Sequence, residues 1–132
     1  MKFFKKKPFL GICVGMQIMA NLGEEFGKFK GLGWIEGEVK KLKSRILPHI
    51  GWNNVMIKKD SKIFNGLDKH KDFYFVHSYY FDVKDKNLVI AETEYEEKFC
   101  SIFQKENIIG VQFHPEKSQK IGQALLKNFL SL

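Results

Sequence analysis

Cys13, His114 and Glu116 are the side chains of this sequence whose types and settings suit nucleophilic chemistry. Cys13 lies in Pro8-Phe9-Leu10-Gly11-Ile12-Cys13-Val14-Gly15-Met16-Gln17, an apolar run closing on a cysteine with a glycine two residues to either side. That is the pattern of a nucleophile elbow. A strand delivers the residue into a tight, strained turn, the glycines remove Cβ atoms that would obstruct the bend, and a helix is expected to begin at once with Met16-Gln17-Ile18-Met19-Ala20. A thiol at a helix N-terminus is expected to face outward and to be drawn towards thiolate by unpaired N–H groups and the helix dipole. The same stretch also suits a structural cysteine buried between two loop glycines.

His114 and Glu116 belong to Asn107-Ile108-Ile109-Gly110-Val111-Gln112-Phe113-His114-Pro115-Glu116, a second apolar strand. Pro115 has no N–H to give to a sheet ladder, so it stops the strand and leaves His114 and Glu116 at its carboxyl end. Ligands of open α/β sheets gather at such ends, and Cys13 is at one too. On one rim the imidazole would take the thiol proton, while Glu116 would orient the ring and stabilise its charged form. A histidine before a proline is, alone, an ordinary surface or core residue; the elbow is what favours a triad. The Val14 N–H, next after the nucleophile, would face a developing oxyanion. Gln17 follows Cys13 by four positions, one helical turn, so its amide would reach the same pocket.

The elements that must hold these groups are read from periodicity. Strand-like stretches run over Gly37 to Leu42, Asn54 to Lys58, Asp72 to Phe81, Leu88 to Thr93, Phe99 to Gln104 and Ile108 to Phe113. Gly23 to Gly37 reads as a winding loop and residues 63–67 as a short helical turn. The end of the chain, with Ser118 as expected N-cap and Ile121, Leu125, Leu126, Phe129 and Leu130 at helical spacing, should pack on the sheet. No repeat or low-complexity tract interrupts the pattern. His49, Gly51, Trp52 and Asn53 fall in a loop led by Pro48, and Trp52 suits either an interface or a core. Cys100, in Phe99-Cys100-Ser101-Ile102-Phe103, reads as sheet packing.

The chain has 132 residues and a net charge of +7. Its basic residues are lysines except Arg45, scattered apart from Lys5-Lys6-Lys7 and without interleaved aromatics, which speaks for a solvated surface and against nucleic acid. Two cysteines and no long apolar span imply a reducing, cytoplasmic setting with no membrane partner. Met1-Lys2-Phe3-Phe4 is too short and charged for a signal peptide.

On PFLGICVGMQ (8 to 17), GLGWIEGEV (31 to 39), PHIGWNNV (48 to 55), YFVHSYYF (74 to 81), NIIGVQFHPEKSQ (107 to 119) and LLKNFL (125 to 130), the chain resembles the class I glutamine amidotransferases. Within them, PHIGWN and FHPEKSQ favour the branch of glutaminase subunits of imidazole glycerol phosphate synthase. The resemblance implies a three-layer α/β fold, with a mixed, mostly parallel sheet flanked by helices, as a single domain over residues 1–132. It implies glutamine as substrate, with ammonia passed to a (β/α)₈-barrel cyclase that forms imidazole glycerol phosphate and aminoimidazole carboxamide ribotide. No metal and no cofactor are implied. Gln17, His77, Ser78 and Tyr79 would bind glutamine, and His49, Gly51, Trp52, Asn53, Tyr74 and Lys117 would face the partner.

Family members carry further strands and a glycine-containing loop ahead of the elbow, the loop supplying half of the oxyanion hole. The chain is therefore expected to correspond to the C-terminal two-thirds of the usual domain, with weak turnover in the absence of a partner. Other readings stay open at this point: a silent chain that only binds the partner, a paralogue serving a surface-sugar pathway, another cysteine hydrolase such as a small peptidase, and a zinc site on His77, His114 and Glu116. Glu116 directly after His-Pro, together with Gln17, argues for glutamine over a peptide.

Overall fold

A computed structural model describes residues 7–25, 27–67 and 71–132. Lys5 and Lys6 of the lysine run, and the stretch from Met1 to Phe4, lie outside the described residues. In chain order β1 (Phe9–Ile12) turns into α1 (Val14–Gln17), followed by β2 (Leu22–Gly23), β3 (Phe29–Lys30), β4 (Gly37–Lys41), β5 (His49–Asn54) and β6 (Met56–Ile57). A 3-10 turn at Lys62–Phe64 precedes β7 (Asp72–His77) and β8 (Tyr79–Val83), and another at Lys86–Leu88 precedes β9 (Val89–Tyr95), β10 (Glu97–Lys105) and β11 (Ile108–Val111). A third, Pro115–Lys117, leads into α2 (Gln119–Leu130).

The main sheet has the order β1-β11-β10-β9-β6. β1 and β11 run parallel with Gly11 opposite Gly110 and Ile12 opposite Val111, so both strands end on the same rim. The expected mixed α/β architecture is present, with a different balance: among the described residues parallel pairing is confined to β1–β11 and β2–β4. Within the main sheet the reason, for β9–β10 and β10–β11, is connection length. β9 and β10 are joined through Glu96, and β10 and β11 through Glu106 and Asn107, links too short for the crossover a parallel pair requires. Glu96 and Glu106 take positive φ there, 64° and 56°.

Two smaller sheets complete the layers, β3-β2-β4-β8 and β5-β7. The stretch from Asp72 to Phe81, expected as one strand, breaks at Ser78, and its halves pair with different partners, β7 with β5 and β8 with β4. His49 to Asn53 form a strand, not a loop, because they pair residue for residue with β7, from His49↔His77 to Asn54↔Asp72. The first helix is shorter than expected and starts earlier, at Val14.

Neighbouring residues of β10 and β11 send side chains to opposite faces, as the two-residue period of a strand requires. Ile109, Val111 and Ile102 join Phe73, Phe75, Phe113 and Leu125 on one face. Ile108 and Phe103 join Met16, Met19, Val39 and Phe81 on the other. α2 thus covers one face and α1 with β4–β8 the other. All four residues of β11 are buried. Each fully buried Phe or Leu of this core contributes about 1.5–3 kcal/mol by leaving water.

α2 is amphipathic, with Leu125 buried, and Asn128 Nδ2 ties its end to the carbonyls of Ile63 and Asn65 at 2.8 and 2.7 Å. Ser118 precedes the helix but does not cap it with its side chain. Its hydroxyl instead accepts from Tyr74 N at 2.9 Å and donates to the His114 carbonyl at 2.6 Å, fastening β7 to the turn that carries His114. Among the described residues no helix is long and apolar enough to cross a membrane.

Candidate active site

Cys13 takes φ 53° and ψ −107° between β1 and α1, the strained turn that an elbow requires. The turn is fixed at both ends. Cys13 N donates to Val111 O at 2.8 Å, and the Cys13 carbonyl accepts from Met16 N and Gln17 N, each at 3.1 Å. The thiol is less exposed than the sequence implies, since Cys13 retains only 9% of its accessible surface. Burial pushes its pKa above the ordinary thiol value, a tendency opposed by the Val14 N–H and the Gln112 amide and reinforced by the Glu116 and Glu25 carboxylates. The expected pull towards thiolate is thus outweighed by burial. At rest the group is a thiol.

The sulfur faces a cleft of about 120 Å³ lined by Val14, Gln17, Glu25 and the run from Val76 to Tyr79. This cleft shares Val14, Gln17 and Glu25 with a wider, mainly apolar groove of about 420 Å³ that continues to Ile18, Phe29 and Leu32. Sγ lies 4.0 Å from the Val76 carbonyl and 3.6 Å from Gln112 Nε2. Gln17 Nε2 donates both to Tyr79 O at 3.1 Å and to Gln112 Oε1 at 3.0 Å.

His114 follows the end of β11, beside the strand that ends in Cys13, and its backbone N–H is held by Tyr74 O at 2.9 Å. Its Nδ1 lies 3.0 Å from Glu116 Oε2, so the predicted imidazole and carboxylate are brought together. The ring is mostly enclosed while Glu116 is half exposed. Beyond Val14 and Gln17, the predicted Ser78 and Tyr79 also line the cleft.

His77 lies beside the cleft but its ring is spoken for. Nδ1 is 2.8 Å from the Tyr79 carbonyl and Nε2 is 3.0 Å from His49 Nδ1, while His49 Nε2 is 3.2 Å from Asn53 Nδ2. A carbonyl only accepts, so His77 carries its proton on Nδ1; His49 must then donate from its own Nδ1 and accept from Asn53 on Nε2. Asn53 Nδ2 also reaches Glu94 O at 2.9 Å, which fixes the orientation of its amide. This arrangement requires both rings to be neutral, and burial lowers the pKa of each to about 4. With both nitrogens of His77 engaged, the zinc reading loses its first ligand.

The expected partner residues divide. Trp52 is 48% exposed and meets Tyr74, its cross-strand partner, edge to face at 6.1 Å. Gly51, Asn53 and Tyr74 are half-buried and Lys117 is exposed. His49 is 3% exposed, stacked between Phe75 and Tyr95 at 4.9 and 4.0 Å.

Compared with known proteins, residues 1–132 match the family model described as glutamine amidotransferase class-I. The chain belongs to that family. This amidotransferase chain is 51% identical over 131 residues to the imidazole glycerol phosphate synthase subunit HisH of Pelagibacter ubique, covering 96% of the chain and 63% of that relative. The subunit of the same name from Pyrococcus furiosus is 52% identical over 127 residues, covering 96% and 66%. The chain therefore spans a little under two thirds of the length of these relatives. Among solved structures, a GMP synthase subunit of Thermoplasma acidophilum aligns with TM-score 0.69 at 26% identity, over 98% of this chain and 60% of that one. PurLQS from Thermotoga maritima shares the fold at TM-score 0.69 and 16% identity, over 95% and 61%.

Two polar residues of this candidate site lie outside the set that the sequence singles out. Glu25 sits in a glycine-rich stretch without periodicity. Gln112 reads as one more strand residue, although a lone amide in the run Gly110-Val111-Gln112-Phe113 is a signal, since a buried amide must find partners.

Proposed function

We propose that the chain, as one amidotransferase domain over residues 1–132, carries the glutaminase chemistry of an ammonia-supplying enzyme, with Cys13 as nucleophile, His114 as general base and acid, and Glu116 as the group that orients His114. The observation that carries this reading is the strained Cys13 turn, whose sulfur faces a polar-lined cleft next to the strand end that bears the paired His114 and Glu116. Because burial keeps Cys13 protonated at rest, His114 has to take the thiol proton as substrate enters.

The thiolate adds to the side-chain carboxamide carbon of glutamine, and the Val14 N–H receives the oxyanion. One such donor is worth about 3 kcal/mol of transition-state stabilisation. Imidazolium at His114 then protonates the departing nitrogen, the C–N bond breaks and ammonia leaves a glutamyl thioester. Water, deprotonated by His114, hydrolyses it to glutamate and restores the thiol. The free Gln17 oxygen, the backbone of His77, Ser78 and Tyr79 and the Glu25 carboxylate supply partners for the amino-acid end, Glu25 being suited to its ammonium group. No metal or organic cofactor enters these steps.

The partner in this reading is a (β/α)₈-barrel cyclase of histidine biosynthesis, in the cytoplasm; the names of the relatives, each a subunit of imidazole glycerol phosphate synthase, support a partner subunit. The outer face of β5–β7 supports such a contact: Ile50 and Trp52 are exposed there, Tyr74 lies beside Trp52, and Val76 continues the face into the cleft. Trp52, Tyr74 and Lys117 would form the contact, with Gly51, Asn53 and His49 on the opposite face of β5, behind them. The test is covalent labelling by a glutamine-mimicking diazoketone in the presence of the cyclase, read by mass spectrometry. Attachment at Cys13 that is lost in Cys13→Ala supports the reading. An unlabelled Cys13, or label that persists in Cys13→Ala, overturns it.

A further inference from the structure

Gln112 has no part in the chemistry above, yet its amide is the link between two residues that do. It is fully buried, at 0% exposure, and follows directly on β11, its N–H held by the Ser101 carbonyl at 2.9 Å. The direction of its side chain is determined by its neighbours. Gln17 Nε2 is a donor to both Tyr79 O and Gln112 Oε1, so Gln112 must present its carbonyl to Gln17 and its NH₂ to the sulfur. The 3.6 Å contact from Nε2 to Cys13 Sγ is therefore an N–H aimed at an acceptor. A thiol accepts weakly and a thiolate strongly, so this contact gains strength as the sulfur ionises. Tyr79 O, Gln17, Gln112 and Cys13 form one directed chain from the cleft wall to the nucleophile.

We propose that Gln112 is a positioning residue: its amide N–H holds the Cys13 sulfur and its carbonyl holds Gln17, setting nucleophile and cleft wall as a single unit. The inference rests on the reading of Cys13 as nucleophile, and it adds a residue that acts only through others. The side-chain hydrogen bond from Gln112 also opposes the upward push of burial on the thiol.

The test is the pH profile of Cys13 alkylation by iodoacetamide in the full chain, followed by mass spectrometry, with buried Cys100 as an internal site of low reactivity. Gln112→Met keeps the length and removes the donor; its alkylation at pH 8 should fall about tenfold, with the profile displaced to higher pH. Gln17→Leu releases the carbonyl end and frees the amide to turn, and should displace the profile the same way by a smaller amount. Should Gln112→Met fail to fold, Gln17→Leu decides. A folded Gln112→Met with an unmoved profile, or an unmoved Gln17→Leu where Gln112→Met does not fold, overturns the proposal. Alkylation reads the thiol whether or not glutamine is turned over, so failure of diazoketone labelling with a displaced profile would count against the glutaminase reading alone.

Discussion

Acid should unfold this protein through His49 and His77. In the native state the two rings share one set of directed hydrogen bonds, from Asn53 through His49 and His77 to the Tyr79 carbonyl, with no acceptor left for an extra proton. Charging either ring would set N–H against N–H inside an aromatic cluster that includes Phe75, Tyr95 and Phe99. The folded-state pKa values are near 4 against an ordinary value of 6.5. The sign follows directly. At pH 7 both states leave the rings neutral and the pair costs nothing; below 6.5 the unfolded chain takes up protons that the native state refuses, so stability falls as the pH falls towards 4. At pH 5 the linkage relation gives about 2 kcal/mol for one imidazole, and about 2–4 kcal/mol for the pair. In urea that is a midpoint lower by roughly 1–2 M than at pH 7. Urea titrations at pH 7, 6 and 5, with ring nitrogen shifts from two-dimensional NMR, measure both the loss and the Nδ1–H form of each ring. A midpoint that does not move, or a His77 ring that titrates near 6.5 in the native state, would refute the reasoning.

Two further outcomes follow from packing. Gly110→Ala should cost about 1–3 kcal/mol in thermal or urea unfolding, because the added Cβ meets Phe103 Cζ at 2.7 Å and Met16 Cγ at 2.8 Å in an already filled core. Trp52→Ala, at a half-exposed ring, should leave the unfolding midpoint nearly unchanged while weakening binding to the proposed cyclase partner by tenfold or more in a calorimetric titration; unaltered affinity would remove Trp52 from the proposed interface.

The family is legible in the sequence because its marks are local. The glycines around Cys13 and the proline after His114 act on their own backbone neighbours, and the chain folds there as those neighbours dictate. What is not legible depends on pairing across long separations. Ser78 looks like any strand residue in Tyr-Phe-Val-His-Ser-Tyr-Tyr-Phe, yet the chain changes sheets there, because β7 is claimed by β5 and β8 by β4. His49 looks like a surface loop residue because nothing in its vicinity reveals that Phe75 and Tyr95 will enclose it. Ser118 has the sequence setting of a cap, but Tyr74, 44 positions away, takes its hydroxyl. The ionisation of Cys13 departs from expectation for the same reason: burial is a property of the assembled site.

Gly11 and Gly110 stand opposite one another in adjacent strands, and the space that two side chains would occupy is taken by Met19 and the Gly15 carbonyl at the first and by Met16 and Phe103 at the second. Two absences thus make room for three side chains and one carbonyl. Every single-base change in a glycine codon alters the residue to a larger one, stops the chain or is silent, so a change at Gly110 costs stability unless Phe103 or Met16 first shrinks, and at Gly11 the Gly15 backbone stands in the way whatever Met19 becomes. Historical change in this corner should therefore begin at Phe103 or Met16 and reach Gly110 second, leaving Gly11 in place, and a laboratory library that randomises the floor of the site should return its more stable members where Gly110 and a neighbour change together.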